Sequence, residues 1–155
     1  MDDAATLKPP DPRYRTMLQV VSLIFAVVLM GAATAAELAI PGWTGAVWIP
    51  VGLVALYLVL RMPARRYGAR GYSLEEERLR VVRGVLFRSD TVVPFGRVQH
   101  IDVDQGPLER AFGLATLTVH TAGSHNASVS QPGLAHADAL AMRDAIRAAI
   151  RRDTQ

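Results

Sequence analysis

Three side chains whose groups can bind a metal or transfer a proton share one face of a predicted strand. His100, Asp102 and Asp104 alternate with other residues over 98–105, so they project from the same side of a half-buried strand. An imidazole beside carboxylates can bind a divalent metal or serve as an acid/base pair. A metal site needs three or four ligands, however, and the sequence places no further histidine or carboxylate beside these residues. We interpret them as a solvated outer face and predict no catalytic residue, no metal ligand and no cofactor.

The composition and the remaining motifs narrow the function classes further. The chain contains no cysteine, which excludes a disulfide framework, a thiolate metal site and a cysteine nucleophile. His120 and His125 are expected to flank a surface turn, and 126–128 matches a glycosylation acceptor that a cytosolic location would make a chance match. A net charge of +3 with 6% aromatic residues does not support nucleic-acid binding. We predict that the protein is not an enzyme and does not bind nucleic acid.

Two long apolar runs occupy the N-terminal part of the chain. Residues 17–36 contain no charged residue and, as a helix, would extend about 30 Å, the hydrocarbon thickness of a bilayer. Residues 43–60 are also uncharged, and only residues 37–42 connect the two runs. A connection this short predicts two neighbouring helices, so we expect a transmembrane hairpin.

The basic residues at the ends of the two runs predict the orientation of the hairpin. Lysine and arginine near the end of a span favour the cytoplasmic side of the membrane. They precede the first run and follow the second, whereas the connection carries only Glu37. These residues are Lys8, Arg13, Arg15, Arg61, Arg65, Arg66 and Arg70. We therefore expect a multi-pass plasma-membrane protein with both termini in the cytoplasm.

An alternative interpretation makes residues 1–35 a secretory signal peptide. Ala33-Thr34-Ala35 matches the pattern of small residues at a cleavage site, and Arg13 and Arg15 could form the basic region. The apolar run is longer than the usual apolar region of about 7–15 residues in a signal peptide. Even after cleavage, the second span would place the following domain in the cytosol.

A period-two pattern of apolar residues begins after residue 70 and predicts several short strands. One strand runs up to Gly84 and resumes over 85–88, as two short strands or one bulged strand. Further strands are predicted over 98–105, around Ala115, Leu117 and Val119, and as a short edge strand over 127–130.

Two helices are predicted in the same part of the chain. Residues 107–112 should form one capped turn that ends at Gly113, with Leu108 and Phe112 buried. After Pro132-Gly133, apolar residues at spacings of three and four predict an amphipathic C-terminal helix that covers one end or face of the sheet. Short antiparallel strands followed by one helix predict an α+β roll or partly open barrel.

Four stretches of this domain carry a resemblance to a known family. They are Gly84 after a basic strand, VPFGRVQHI at 93–101, QGPLERAFGL at 105–114 and TAG at 121–123. With them, residues 70–150 resemble the membrane-flanked bacterial pleckstrin-homology (PH) domain family, in particular its short YdbS-like members. The resemblance implies about seven strands in a bent antiparallel sheet capped by a C-terminal helix. It also implies membrane assemblies in which a larger protein with several such domains is a frequent partner.

The resemblance does not imply phosphoinositide binding. Eukaryotic relatives that bind those lipids have a basic cluster in the loop after the first strand, whereas here that loop reads Leu74-Glu75-Glu76-Glu77. Carboxylates at this place would repel a polyphosphate head group. The expected role is therefore non-enzymatic: a cytosolic PH-like module that assembles with partner membrane proteins, with sensing of anionic lipid head groups as the alternative.

The predicted organisation has four parts. Residues 1–16 form a cytosolic tail, 17–62 the transmembrane hairpin, 63–69 a basic juxtamembrane linker and 70–152 the PH-like domain. Arginines around the linker are candidates for contact with membrane lipids, because such clusters attract anionic head groups. These arginines are Arg61, Arg65, Arg66 and Arg70.

The 107–112 turn is the candidate surface for docking a partner protein. Its candidate residues are Glu109, Arg110 and Phe112, with Arg110 as the charged anchor. The same turn could instead serve only to close the core of the domain. A membrane protein with related PH-like domains is the expected partner, and a homo-oligomer is left open.

Overall fold

A computed structural model describes residues 7–39, 45–122 and 128–153 of the chain. The helices are α1 (Pro12–Ala39), α2 (Trp48–Leu60), α3 (Met62–Gly68), α4 (Pro107–Phe112) and α5 (His136–Asp153), with a 3-10 turn at Phe95–Arg97. The strands are β1 (Gly71–Leu74), β2 (Arg78–Arg83), β3 (Ser89–Pro94), β4 (Val98–Asp104), β5 (Leu114–Thr121) and β6 (Ser128–Ala135). The protein is therefore α+β, with apolar helices first and the sheets after them.

Two helical segments are long and apolar enough to cross a membrane, as judged by length and composition. They are Pro12–Ala39 and Trp48–Gly68, and the rest of the protein buries only 22% and 11% of their most apolar windows. The first predicted span, 17–36, lies within α1, and the second, 43–60, overlaps α2. Residues 40–44, which connect the two helices, lie outside the described residues.

The strands form two antiparallel sheets of three strands each, in the orders β1-β2-β3 and β4-β5-β6. The described residues thus contain six strands, and the expected number of seven was wrong for this part of the chain. Residues 85–88, which the sequence predicted to resume a strand, form the reversal between β2 and β3. The backbone at Gly84 has a φ of +125°, and the carbonyl oxygen of Phe87 occupies the place that a Cβ would take. This conformation turns the chain back, so the strand cannot continue.

The core of the domain lies between the two sheets and α5. The prediction that Ile101, Leu117 and Val119 face inward is confirmed, since all three are buried. The buried cluster consists of Tyr72, Leu79, Val81, Val93, Phe95, Ile101, Ala115, Leu117, Val119, Val129, Leu134, Ala139, Met142 and Ile146. Its last three members belong to α5, so the C-terminal helix covers the sheet as its spacing predicted.

Strand β6 extends further than the predicted edge strand over 127–130. It includes Pro132 and Gly133, which the sequence had suggested as a break before the helix. Proline is tolerated here because β6 lies at the edge of its sheet and can lose one ladder hydrogen bond. Residue 127, and residues 123–126 where the sequence predicts a turn, lie outside the described residues.

The segment before α1 contacts the domain formed by the two sheets and α5 directly. The backbone N–H of Lys8 donates to the carbonyl of Tyr72 at 2.8 Å, and that of Asp11 donates to the carbonyl of Gly133 at 2.8 Å. Tyr14, Met17, Leu18 and Leu114 then form a second buried cluster, against which Tyr67 and Phe112 pack. The start of α1 is therefore attached to both sheets of the domain, although the sequence predicted a tail in residues 1–16.

Candidate functional site

The four arginines around α3 have different environments. Arg61, Arg65 and Arg66 are exposed, and Arg65 donates from Nη1 to the hydroxyl of Tyr57 at 3.2 Å. The Arg70 guanidinium lies 5.7 Å from the centre of the Tyr14 ring, in a cation–π contact. Arg70 therefore contributes to attaching α1 to the domain, and the other three are the arginines available to an external anion.

Helix α3 is also attached to the segment before α1. The hydroxyl of Tyr67 donates to the carbonyl oxygen of Pro10 at 2.9 Å. Only Arg61 separates α2 from α3, and its backbone N–H donates to the Tyr57 carbonyl as in a continuous helix. The exposed arginines therefore lie on a helix that directly prolongs α2 and that is connected to the domain on its other side.

The 107–112 turn forms helix α4, as predicted, and its side chains divide into two groups. The Glu109 carboxylate accepts hydrogen bonds from the Gly106 backbone N–H at 2.8 Å and from the Thr116 hydroxyl at 2.6 Å. Phe112 packs against the cluster at the start of α1, so both side chains stabilise the turn itself. Arg110 points to solvent.

Leu108, which was expected to be buried, is 37% exposed. The prediction was wrong because α4 has a single turn, and Phe112 rather than Leu108 reaches the cluster at the start of α1. Leu108 and Arg110 therefore form the outward part of this turn, whereas Glu109 and Phe112 form its inward part.

The structure adds His120 to the histidine and carboxylates that the sequence singled out. Strands β4 and β5 pair with His100 opposite His120, and the Asp102 carboxylate contacts both rings, at 2.7 Å from Nε2 of His100 and 3.2 Å from Nε2 of His120. Asp104 is exposed at the end of the strand. Sequence reasoning placed His120 beside a turn and not beside Asp102, because the register of two strands that α4 separates is not readable from local pattern.

This group lies on an open sheet surface. His100 and His120 are 67% and 41% exposed, so water is not excluded from it. Among the described residues, no group of three or more histidine, aspartate or glutamate side chains is arranged to hold a metal ion. The arrangement is that of a solvated carboxylate shared by two imidazoles.

A second feature that sequence reasoning missed is the reversal between β2 and β3, which we call the 84–88 turn. Leu86 and Phe87 at its tip are 87% and 89% exposed. At its base, the Arg80 guanidinium forms a salt bridge of 2.7 Å with Asp90, and this hydrogen bonding lowers the pKa of the Asp90 carboxyl. The available signal was an apolar triplet between a glycine and an arginine, which is also compatible with a strand.

The comparisons with known proteins agree with the resemblance stated from the sequence. A family model described as "Bacterial PH domain" matches residues 18–150, so this chain belongs to the bacterial PH domain family. The chain is also similar to the UPF0699 transmembrane protein YdbS of Bacillus subtilis (strain 168), with 33% identity over 107 residues. That match covers 69% of this chain and 64% of the relative, less than two thirds of its length. No solved structure matches the chain significantly.

These findings define the class of protein. The chain is a membrane-associated protein with a bacterial PH domain and is YdbS-like. Its family and its relative point to a non-catalytic protein.

Proposed function

We propose that the protein crosses the bacterial plasma membrane twice, through α1 and α2, with both termini in the cytoplasm. In this arrangement it presents its PH-like domain at the inner surface for assembly with partner membrane proteins. The exposure of the apolar helices carries the proposal. Large apolar side chains along α1 are only partly covered by the described part of the chain: Val21, Leu23, Ile24, Phe25, Val27 and Val28 are 38–64% exposed.

The free energy of burial supports a lipid environment for these helices. Moving one large apolar side chain from water into an apolar medium is favourable by about 1.5–3 kcal/mol when burial is complete. A helix pair with this many uncovered side chains would be strongly unfavourable in water. The basic residues that flank the pair, and the single carboxylate in its connection, favour the orientation with cytoplasmic termini.

Cysteine labelling tests the topology without background, because the chain contains no cysteine. In intact cells, a membrane-impermeant maleimide should label Ala46→Cys, which lies in the turn before α2. It should label Asp144→Cys on α5 only after the membrane is made permeable. Labelling of Asp144→Cys in intact cells would contradict the proposed orientation. The mass of the purified chain distinguishes an uncleaved first helix from a cleaved signal peptide.

The outward part of α4 supports the proposed assembly role. Leu108 is 37% exposed and Arg110 is exposed beside it, while Glu109 is engaged within the turn. An exposed apolar side chain next to an arginine is a common combination at protein interfaces. We therefore assign the charged contact with the partner to Arg110, and we assign the shape of the docking turn to Glu109 and Phe112.

Purification of the full chain from its native membrane in mild detergent tests this role. A second membrane protein with related domains should co-purify in stoichiometric amount. Arg110→Glu should reduce its recovery, whereas the matched control Arg147→Glu, on the exposed side of α5, should not. Recovery of the chain alone, or equal loss with both variants, would contradict the assembly role of this turn.

A second candidate function is contact with anionic lipid head groups. The exposed positions of Arg61, Arg65 and Arg66, on a helix that prolongs α2, favour it, because such clusters attract anionic lipid. The variant with all three arginines changed to glutamine should retain less phosphatidylglycerol during purification than the unchanged chain. An unchanged lipid content, with Arg147→Gln as control, would count against this function.

A further inference from the structure

We propose that the 84–88 turn is an additional membrane contact, which inserts its apolar tip into the boundary between head groups and acyl chains of the bilayer. This inference rests on the proposed membrane-spanning role of α1 and α2. The tip consists of Val85, Leu86 and Phe87, and Arg83 and Arg88 lie on either side of it. The ligand is therefore a lipid surface with anionic head groups.

The exposure of the tip is the first argument. Leu86 and Phe87 are 87% and 89% exposed, more than any large apolar side chain in the described parts of α1 and α2. The conformation that exposes them is built into the backbone, since Gly84 has a φ of +125° and a Cβ there would collide with the Phe87 carbonyl. The turn therefore presents these side chains outward in a defined way, and moving its apolar surface out of water would be favourable.

The position of the turn is the second argument. Strand β1 begins at Gly71, directly after α3, and Gly71 pairs with Val82 next to the turn. The opposite end of this sheet, where Arg78 pairs with Pro94, lies away from α3. Val85 lines an open groove together with residues of the α3 region, namely Ala64, Arg65, Gly68 and Ala69.

This position corresponds to the depth of the lipid head groups. Along a helix, Ala64 and Arg65, the groove residues nearest the span, lie about 6–8 Å beyond residue 60, where the predicted second span ends. A bilayer has a hydrocarbon core of about 30 Å and a total thickness of about 40–45 Å, which leaves several ångströms of head-group layer on each side. A turn at the level of Ala64 and Arg65 therefore needs about the length of its apolar side chains to reach the acyl boundary.

Charge selects lipid over a soluble protein as the occupant. Within the described ranges, neither Arg83 nor Arg88 takes part in a salt bridge, although Arg88 interacts electrostatically with the Asp90 carboxylate, and Arg65 of α3 lines the groove with Val85. An apolar tip with flanking arginines matches an interface of anionic head groups over acyl chains. The turn would then act with α1 and α3 to orient the domain on the membrane surface.

Site-specific fluorescence in vesicles tests the proposal on the full chain. Phe87→Cys, labelled with an environment-sensitive dye, is reconstituted into vesicles of phosphatidylcholine and phosphatidylglycerol that contain a nitroxide-labelled lipid. The reference positions are Phe25→Cys, within α1, and Asp144→Cys, on the exposed side of α5. We expect the dye at 87 to emit at shorter wavelength than at 144 and to be quenched by the nitroxide lipid, as at position 25.

The two reference positions separate the proposals. One outcome is that the nitroxide lipid quenches the dye at position 25, while the dye at position 87 behaves like the dye at position 144. This result would overturn the membrane contact of the turn and would leave the proposed topology unchanged. Absence of quenching at 25 would instead overturn the topology and, with it, the inference. A shift to shorter wavelength at 87 without quenching by lipid would indicate contact with a second copy of the chain and would also overturn the lipid contact.

A second substitution makes the test independent of the labelled residue. Leu86→Asp in the chain labelled at position 87 should reduce quenching to the level seen at position 144. The matched control is Val92→Asp, because Val92 is 47% exposed in the middle of β3 and away from the tip. Equal quenching with and without Leu86→Asp would overturn the proposal.

Discussion

Gly133 connects the PH-like domain to the start of α1, and its replacement by alanine should weaken that connection. Gly133 has a φ of +77°, and a Cβ at this position would lie 2.5–2.8 Å from atoms of the Tyr14 ring. The carbonyl of Gly133 also accepts the hydrogen bond from the Asp11 backbone N–H. An alanine therefore both strains the backbone of β6 and pushes away the ring that packs on it.

The size of the effect follows from these two contributions. A non-glycine residue in a left-handed conformation costs about 1–2 kcal/mol. Tyr14 is only 4% exposed, and losing the packing of a buried aromatic side chain costs at most about 3–5 kcal/mol. We therefore expect Gly133→Ala to lower the free energy of unfolding by more than the backbone contribution alone and by at most about 7 kcal/mol.

Gly113→Ala provides a matched control for the backbone contribution. Gly113 has a φ of +66°, and a Cβ there would meet only the guanidinium end of Arg13, at 3.2 Å. Because this side chain is flexible, the control should cost only the backbone contribution of about 1–2 kcal/mol. Thermal unfolding of the full chain in detergent measures the difference, at about 2–4 °C per kcal/mol for a chain of this size.

A double-mutant cycle with Tyr14→Ala tests whether the Tyr14 ring causes the loss of stability in Gly133→Ala. If the ring causes most of the cost, removing it should make Gly133→Ala less harmful, with a coupling of at least about 1 kcal/mol. Hydrogen exchange at the Asp11 amide should also become faster in Gly133→Ala and stay slow in the Gly113→Ala control. Strict additivity of the two substitutions, with unchanged exchange at Asp11, would refute the proposed contact between α1 and β6.

Three further predictions concern α4, the cluster at α1 and the base of the 84–88 turn. Glu109→Ala should lower the free energy of unfolding by about 1–2 kcal/mol in chemical denaturation, because the Gly106 N–H loses its partner. Leu114→Ala should cost about 2–5 kcal/mol in the same assay, since Leu114 is fully buried; a loss below about 1 kcal/mol would contradict its place in the cluster. The salt bridge with Arg80 lowers the pKa of the Asp90 carboxyl in the folded state. The stabilisation by this salt bridge is therefore fully present above the ordinary pKa of 3.8, and it is lost as the pH falls through the lower pKa of the folded state. Asp90→Asn should therefore reduce the loss of stability on acidification below about pH 4, measured by unfolding at a series of pH values.

Local sequence pattern was sufficient for those elements whose partners lie close along the chain or whose one face is buried. The alternation over 98–105 predicted β4, Pro107 and Gly113 bounded α4, and apolar spacings of three and four placed Ala139 and Ile146 of α5 on the core. These predictions succeeded because the period of a helix or strand determines which side chains share a face.

The predictions that failed have two causes, a local backbone conformation and contacts between distant parts of the chain. A valine-leucine-phenylalanine triplet has high strand propensity, which predicted a strand over residues 85–88. In the structure, the backbone conformation of Gly84 reverses the chain before these residues. Likewise, only the register between β4 and β5 places His120 beside Asp102. Propensity is a weak preference that tertiary contacts override at such positions.

Composition and local period were sufficient to predict the two apolar helices, the charge asymmetry around them and the α+β domain that follows. How the domain is joined to the helices is visible only in the folded chain. The hydrogen bonds from Lys8 and Asp11, the Tyr14 ring over Gly133 and the place of the 84–88 turn beside α3 all join residues far apart in sequence. Such contacts depend on the packing of the whole chain, so no local pattern could predict them.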